Sequence, residues 1–292
     1  MVDNQKGAVL VTGTSTGVGQ ATALLLDKKG YRVFAAVRKE KDAESLKRNA
    51  SESLTTILMD VTKTEEIKFA ADIVSKAIEN EGLIGLVNNA GLLLDGPVEY
   101  VAIEDLRWQF EVNVFGQIAV TQAFLPLIRK AKGRIINIGS VGGKISSPFI
   151  SSLCASKFAL EAFTDALRME LDPWGIEVIL VEPGSIASAA PDKVEESFQK
   201  NFANMSSEAK AMYGDAYKFF VEGLIRSNRT GMQPEKVADT ILEALEASKP
   251  KTRYFLSKHQ TSLMLNLILK KFLSDRSFDA RILENWKLKN QN

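Results

Sequence analysis

Residues 8–12 read Ala-Val-Leu-Val-Thr and run straight into a turn marked by Gly13, Gly17 and Gly19. Apolar residues then recur at helical spacing, at Val18, Ala21 and Leu25, until Gly30. A short, wholly apolar run is the mark of a strand covered on both faces, as in a parallel sheet. A glycine after the last periodic residue is a helix stop. The theme repeats, because residues 32–37, 55–59, 85–88, 134–138 and 177–181 read as further strands with helical stretches between them. Strands alternating with helices predict an α/β doubly wound (Rossmann) parallel sheet of about seven strands, with helices on both faces and right-handed crossovers.

No Pro-, Gly- or Ser-rich linker divides the chain, so residues 1–292 read as a single domain. Two stretches break the strand-helix rhythm. Residues 189–232 are polar and helical in flavour and carry Tyr213, Tyr217, Phe219 and Phe220. They follow the sixth strand and so emerge at the carboxyl edge of the sheet, where ligands bind in such folds, which predicts a lid over a substrate. Residues 259–292 form a C-terminal extension whose segment 262–273 is apolar with a basic end at Lys270 and Lys271. That segment reads as a helix closing the substrate cleft or packing on a partner subunit, or as an interfacial helix in peripheral contact with a membrane.

Lys and Arg number 37 against 36 Asp and Glu, and a net charge of +1 leaves no basic excess for nucleic acid. The one cysteine, Cys154, excludes an internal disulfide and suits a reducing compartment, so the expectation is a cytoplasmic protein. The one histidine, His259, argues against a Ser-His-Asp hydrolase or a histidine-rich metal site. The first strand begins within a few residues of Met1, which leaves no room for a signal peptide, and no run of about 18 apolar residues predicts a transmembrane segment.

Glycines between a strand and a helix permit a tight turn and close approach of a pyrophosphate, whose charge the helix amides and dipole stabilise. The second strand ends Val37-Arg38-Lys39, with no acid until Glu40. An acid there would hydrogen-bond the ribose hydroxyl of NAD, whereas Arg38 offers a fork suited to the 2′-phosphate of NADP(H).

Further along come Asn88-Asn89-Ala90-Gly91, then Asn113 in Asn-Val-Phe-Gly, then Ser140, and then the run Ser152-Leu153-Cys154-Ala155-Ser156-Lys157. With Thr12 to Gly19, these motifs resemble the short-chain dehydrogenase/reductase family across most of residues 7–188. The resemblance implies an NADP(H)-dependent oxidoreductase. Gly13, Ser15, Thr16, Gly17, Val18 and Gly19 would hold the pyrophosphate, with Arg38 on the 2′-phosphate and Asp60 and Val61 at the adenine. Asn88, Ala90 and Gly91 would support the central sheet and line the nicotinamide side. Pro183, Gly184, Ile186 and Ser188 would contact the carboxamide, with Ser188 replacing the family's Thr.

The same resemblance assigns catalysis to Asn, Ser, Tyr and Lys. Tyr passes the proton on oxygen, Lys lowers the Tyr pKa and binds the ribose, Ser holds the substrate oxygen, and Asn supports a water leading to Lys. Asn113, Ser140 and Lys157 occupy three of these places, and Leu153 stands in the fourth. Leucine neither transfers a proton nor donates a hydrogen bond. A positioned acid or base is worth about 10² to 10⁴ in rate, while holding hydride donor and carbonyl together contributes separately. Four readings stay open. The proton comes from Ser140, from Lys157 through water, or from Tyr213 or Tyr217; the chain is a pseudoenzyme or sensor that binds NADP(H) without turnover; Leu153 is an engineered inactivating change; or the reaction needs no protein acid here. Cys154 is a poor substitute, since the next helical position points about 100° away. The run from Cys154 to Phe163 and the apolar extension resemble the retinol and 17β-hydroxysteroid dehydrogenase branch, which implies an apolar alcohol and its ketone or aldehyde. The helical stretches 105–132 and 152–171 carry the dimer contact in that family, which implies a homodimer or homotetramer.

Overall fold

The computed structural model describes residues 6–79, 81–187 and 191–285. Seven parallel strands form one sheet in the order β3-β2-β1-β4-β5-β6-β7. They are β1 (Ala8–Val11), β2 (Arg32–Val37), β3 (Leu54–Leu58), β4 (Leu83–Asn88), β5 (Arg134–Ile138), β6 (Glu177–Pro183) and β7 (Arg253–Leu256). The order reverses direction at β1 and β4, so the chain's crossovers run outward in both directions from that point. That leaves a crevice at the carboxyl ends of the central strands. Val9 and Val11 pack into one core and Leu10 into the other, so the run is apolar throughout because both faces are covered.

The helices are α1 (Gly17–Lys28), α2 (Glu40–Lys47), α3 (Thr64–Ala77), α4 (Ile103–Phe110), α5 (Gly116–Ala131) and α6 (Ser151–Leu171), followed by α7 (Pro191–Asn204), α8 (Ser207–Thr230), α9 (Pro234–Glu246), α10 (Gln260–Phe272) and α11 (Asp275–Asn285). Successive strand residues face opposite sides, and two cores result. Leu10, Phe34 and Ile135 pack with Ile67 and Val74 of α3 and with Val120, Phe124 and Ile128 of α5. Val9, Val33 and Ile136 pack on the other side with Ala23 and Leu26 of α1, Leu46 of α2, and Val237 and Ile241 of α9.

A π turn at Glu111–Phe115 joins α4 to α5, so Ile103–Ala131 is one continuous helical rod. By length and apolar composition this rod could cross a membrane, which the sequence reading had not expected of any segment. It owes those apolar residues to the core, where Val120, Phe124 and Ile128 are fully buried. β7 is only four residues long and lies ahead of an apolar helix, so its sequence shows no decisive period.

Helices α7 and α8 form an excursion from the sheet. Its feet meet at a bridge between Ile186 and Met232, where Ala187 N donates to Met232 O at 2.7 Å and Met232 N to Ser185 O at 3.0 Å. Within it, Phe198, Tyr217, Phe220, Val221 and Ile225 form a separate small core with Phe149 and Ile150. Phe124 is at the centre of the main core and fully buried. Phe124→Ala should therefore lower unfolding stability by about 3–5 kcal/mol, measured by chemical denaturation.

Candidate active site

The crevice at the switch point is a cavity of about 510 Å³, lined by the β1–α1 turn, the ends of β2 and β3, the segment after β4, and Asn113, Lys157 and Ile186. The turn is shaped by two close approaches. A Cβ on Gly19 would lie 2.2 Å from the Gly13 carbonyl oxygen, and one on Gly13 would lie 2.8 Å from Ala90 Cα. Only hydrogen fits at either place. The turn is also tied to the end of β4. Thr12 Oγ1 accepts from Asn89 N at 2.9 Å and Ala90 N at 3.0 Å, and Asn89 Nδ2 donates to the Thr12 and Gly13 carbonyls at 2.9 and 3.1 Å.

Thr16 caps α1 without a side-chain hydrogen bond, so the first amides of the helix have no partner from the cap residue. They open on the cavity beside Ser15, Thr16, Gly17 and Val18. A Cβ on Gly17 would meet nothing within 4 Å. Unpaired amides, a helix dipole and free space at one point suit a phosphate group. The residues thus fit a nucleotide cofactor. Arg38 is exposed at the cavity edge and has no ion pair among the described residues. Asp60 also faces the cavity, its Oδ1 held by Thr62 N at 3.0 Å and Thr62 Oγ1 at 2.8 Å.

Among the residues named from sequence, Ala90, Gly91 and Val61 line the cavity with the others above. Asn88 does not. Its side chain is fully buried behind them and donates to Thr121 Oγ1 at 2.8 Å and to Asn137 Oδ1 at 2.9 Å. The neighbouring Asn89 makes the cavity-side contacts, a role that its place in the motif does not mark. Pro183 ends β6, and Gly184 N donates to Leu256 O at 2.8 Å. Ser188 lies outside the described residues.

Asn113 sits inside the π turn, a helical irregularity frequent at functional sites. Its amide is committed to the backbone after β4: Oδ1 accepts from Leu92 N at 2.8 Å, and Nδ2 donates to Leu92 O at 2.9 Å and to Ser156 Oγ at 3.2 Å. Gln109 grips Leu92 O and Leu94 N, and Gln117 donates to Ala90 O. Amides at 109, 113 and 117 thus replace the missing strand partners of residues 90–94. Their four-residue spacing was the signal that could have found Gln109 and Gln117.

Lys157 is buried, and its Nζ donates to Ile138 O at 2.6 Å, at the end of β5. Burial lowers its ammonium to about 8. Ser140 follows two residues after Ile138; its Oγ accepts from Gly142 N at 3.0 Å and caps a short 3₁₀ turn. Leu153 is half-buried in the first turn of α6, one helical turn before Lys157. Of the side chains weighed as replacements, the two tyrosines stand elsewhere. Tyr217 is fully buried and donates to Asp95 Oδ1 at 2.8 Å, while Tyr213 is bound to Glu99 at 2.7 Å. Burial and the Asp95 carboxylate push the Tyr217 phenol up, and the Glu99 hydrogen bond does the same for Tyr213. Neither lines the cavity. Cys154 is buried, and burial raises its thiol pKa.

Residues 7–198 match the short chain dehydrogenase family. The chain is 40% identical over 253 residues to retinol dehydrogenase 16 of Mus musculus, covering 84% of this chain and 79% of the relative. It is 39% identical over 253 residues to 17-beta-hydroxysteroid dehydrogenase type 6 of Bos taurus, with the same coverage. Among solved structures, the actinorhodin polyketide ketoreductase with NADPH superposes with a TM-score of 0.72 at 26% identity, covering 88% of this chain and 98% of that one. On this similarity the chain belongs to the short-chain dehydrogenase/reductase family of oxidoreductases, in its retinol and hydroxysteroid dehydrogenase branch.

Proposed function

We propose that this chain is an NADP(H)-dependent oxidoreductase that interconverts an apolar alcohol and its ketone or aldehyde, with chemistry altered by Leu153. The observation that carries the cofactor assignment is Arg38, an exposed guanidinium at the cavity edge where an acid would repel a 2′-phosphate. A bound nicotinamide supplies or accepts the hydride at the carbonyl carbon. The α1 amides hold the pyrophosphate, Asp60 the adenine, and Ser140 orients the substrate oxygen. With both tyrosines of residues 189–232 bound to carboxylates outside the cavity, Lys157 is the buried proton carrier that lines it. A second reading, an NADP(H)-binding pseudoenzyme, is favoured by the same engagement of the tyrosines. Residues 189–232 act as the lid, through their aromatic core against Phe149.

Two surfaces extend the proposal. Phe115 and Phe158 and Phe163 are exposed on the π turn and α6, which supports pairing of two copies there. On α10, Met264, Leu265, Ile268 and Phe272 are exposed beside Lys270 and Lys271, which supports peripheral contact with a membrane over closure of the cleft.

Cofactor choice is checked by titration. NADPH should bind more tightly than NADH, and Arg38→Asp should reverse the order; equal affinities in the unaltered protein would remove the assignment. Turnover is checked with NADPH and a panel of apolar ketones and aldehydes. If Lys157 delivers the proton, reduction should fall as pH rises through about 8, because the acid form is the ammonium. A rate indifferent to that titration would mean another donor, and no oxidation across a panel that family relatives accept would favour the pseudoenzyme. Leu153→Tyr places a phenol one turn from Lys157, whose cation favours phenolate, and should raise kcat by about 10²-fold or more. A folded, cofactor-binding variant without that gain would mean that the site has diverged beyond one residue.

A further inference from the structure

Behind the Ser140 loop lies a partly buried ionic cluster that neither the cofactor nor the substrate oxygen explains. Glu161, on α6 one turn after Lys157, accepts from Lys144 Nζ and, at 3.2 Å, from Arg253 Nη2. Arg253 also donates to Asp165 at 2.6 Å, and Asp165 accepts from Arg168 at 2.6 Å. Glu182, near the end of β6, is fully buried, and neither of its carboxyl oxygens has a hydrogen-bond donor among the described residues. The nearest cations stand off, Arg253 at 3.8 Å and Lys144 at 4.0 Å. Glu161 stands beside the same two cations, and its Oε1 also lacks a donor. Two ionised carboxylates are acceptors only and cannot bond to each other. One proton between them removes the conflict.

The pair underlies the catalytic loop. Glu182 Cγ lies 3.3 Å from a Cβ position on Gly139, and Glu161 Cγ lies 3.2 Å from one on Gly143, so residues 139–143 rest on the two side chains. Lys144 closes the 3₁₀ turn that Ser140 caps, and its ammonium runs down to Glu161. The same helix that carries Glu161 carries Lys157.

We propose that Glu161 and Glu182 share one proton, and that this pair is a positioning device seating the Ser140 loop against Lys157. Removing the proton places two like charges under the loop. Burial first, then the Glu161 hydrogen bond and charge, hold the Glu182 carboxyl well above the usual carboxylate range, against the opposing pull of Lys144 and Arg253. The charged groups around the pair are Lys144 from the loop, Asp165 from α6 with Arg168 behind, and Arg253 from β7. The loop's role in catalysis rests on the oxidoreductase reading; the shared proton does not.

The sign of the linkage follows. A carboxyl whose folded pKa is raised contributes stability that is fully present below its unfolded value and is lost as pH climbs through the folded one. Glu182→Gln mimics the protonated form at every pH and keeps a donor for Glu161. It should raise Tm at about pH 8 by roughly 2 °C or more, with the difference shrinking toward zero near about pH 5. Infrared spectra of the unaltered protein at about pH 7 should show the carbonyl stretch of a buried protonated carboxyl, absent from the variant and lost on alkaline titration. Hydrogen exchange in residues 139–144, corrected for its intrinsic pH dependence, should quicken over that same titration in the unaltered protein and stay slow in Glu182→Gln. Glu182→Ala, which removes the donor, should quicken it at all pH values.

A protonated carboxyl absent from the unaltered protein, or a Glu182→Gln variant less stable at about pH 8, would overturn the proposal in favour of an ordinary ion-pair network. The spectrum of the unaltered protein decides the point even if a variant fails to fold. An intact band with exchange in 139–144 indifferent to it would overturn the positioning role. A lack of NADPH turnover with band and exchange as expected would count against the oxidoreductase reading alone.

Discussion

A Cβ on Gly19 would stand 2.2 Å from the carbonyl oxygen of Gly13, and the rest of the site depends on that absence. With hydrogen there, α1 can start immediately above β1 and point its first amides at the crevice. Thr12 and Asn89 then lock the turn to the end of β4 with four hydrogen bonds. The cofactor face and the segment carrying Ala90 and Gly91 therefore form one rigid unit. A phosphate-sized opening needs no movement to appear, because the first turn of the helix is uncapped by Thr16.

On the other side of the crevice, side chains supply what the sheet does not. Beyond Asn88 the chain leaves β4, and residues 90–94 have backbone groups without strand partners. Gln109, Asn113 and Gln117 satisfy them from one face of the Ile103–Ala131 rod. Beneath, Asn88 joins Thr121 and Asn137, and Asn137 reaches Thr164 on α6. Buried amides left unpaired would each cost about 1–3 kcal/mol, so these polar chains fix the spacing between β4, β5, α5 and α6. Lys157 belongs to the same scheme through Ile138, which places its ammonium at the end of β5.

Much of this was legible in the chain. Apolar runs and glycine stops gave the parallel sheet, since strands buried on both faces and short turns leave strong local marks. Where two residues share a motif, the sequence did not say which faces the ligand. Asn88 and Asn89 look equivalent as letters, yet a strand turns alternate side chains to opposite sides, and Asn88 goes into the core. The π turn around Asn113 was invisible, because its pattern of apolar residues is that of an ordinary helix. So was the Glu161–Glu182 contact. Twenty-one positions separate them, and their meeting depends on α6 lying against β6, a tertiary fact with no local signature.

Lys157 shows how much the site retains without a phenol. A buried ammonium is normally paired with a carboxylate, and the attraction would hold its pKa up. Here the partner is a backbone carbonyl, which accepts the hydrogen bond but carries no full charge to offset desolvation. The two carboxylates nearest in sequence, Glu161 and Asp165, are taken up by Lys144, Arg253 and Arg168. The chain thus separates its charges into two compartments. Ion pairs collect behind the Ser140 loop, whereas Lys157, held by the Ile138 carbonyl, faces the cavity. That division keeps Lys157 in the range where it can exchange a proton near neutrality, whether or not a tyrosine stands one turn before it.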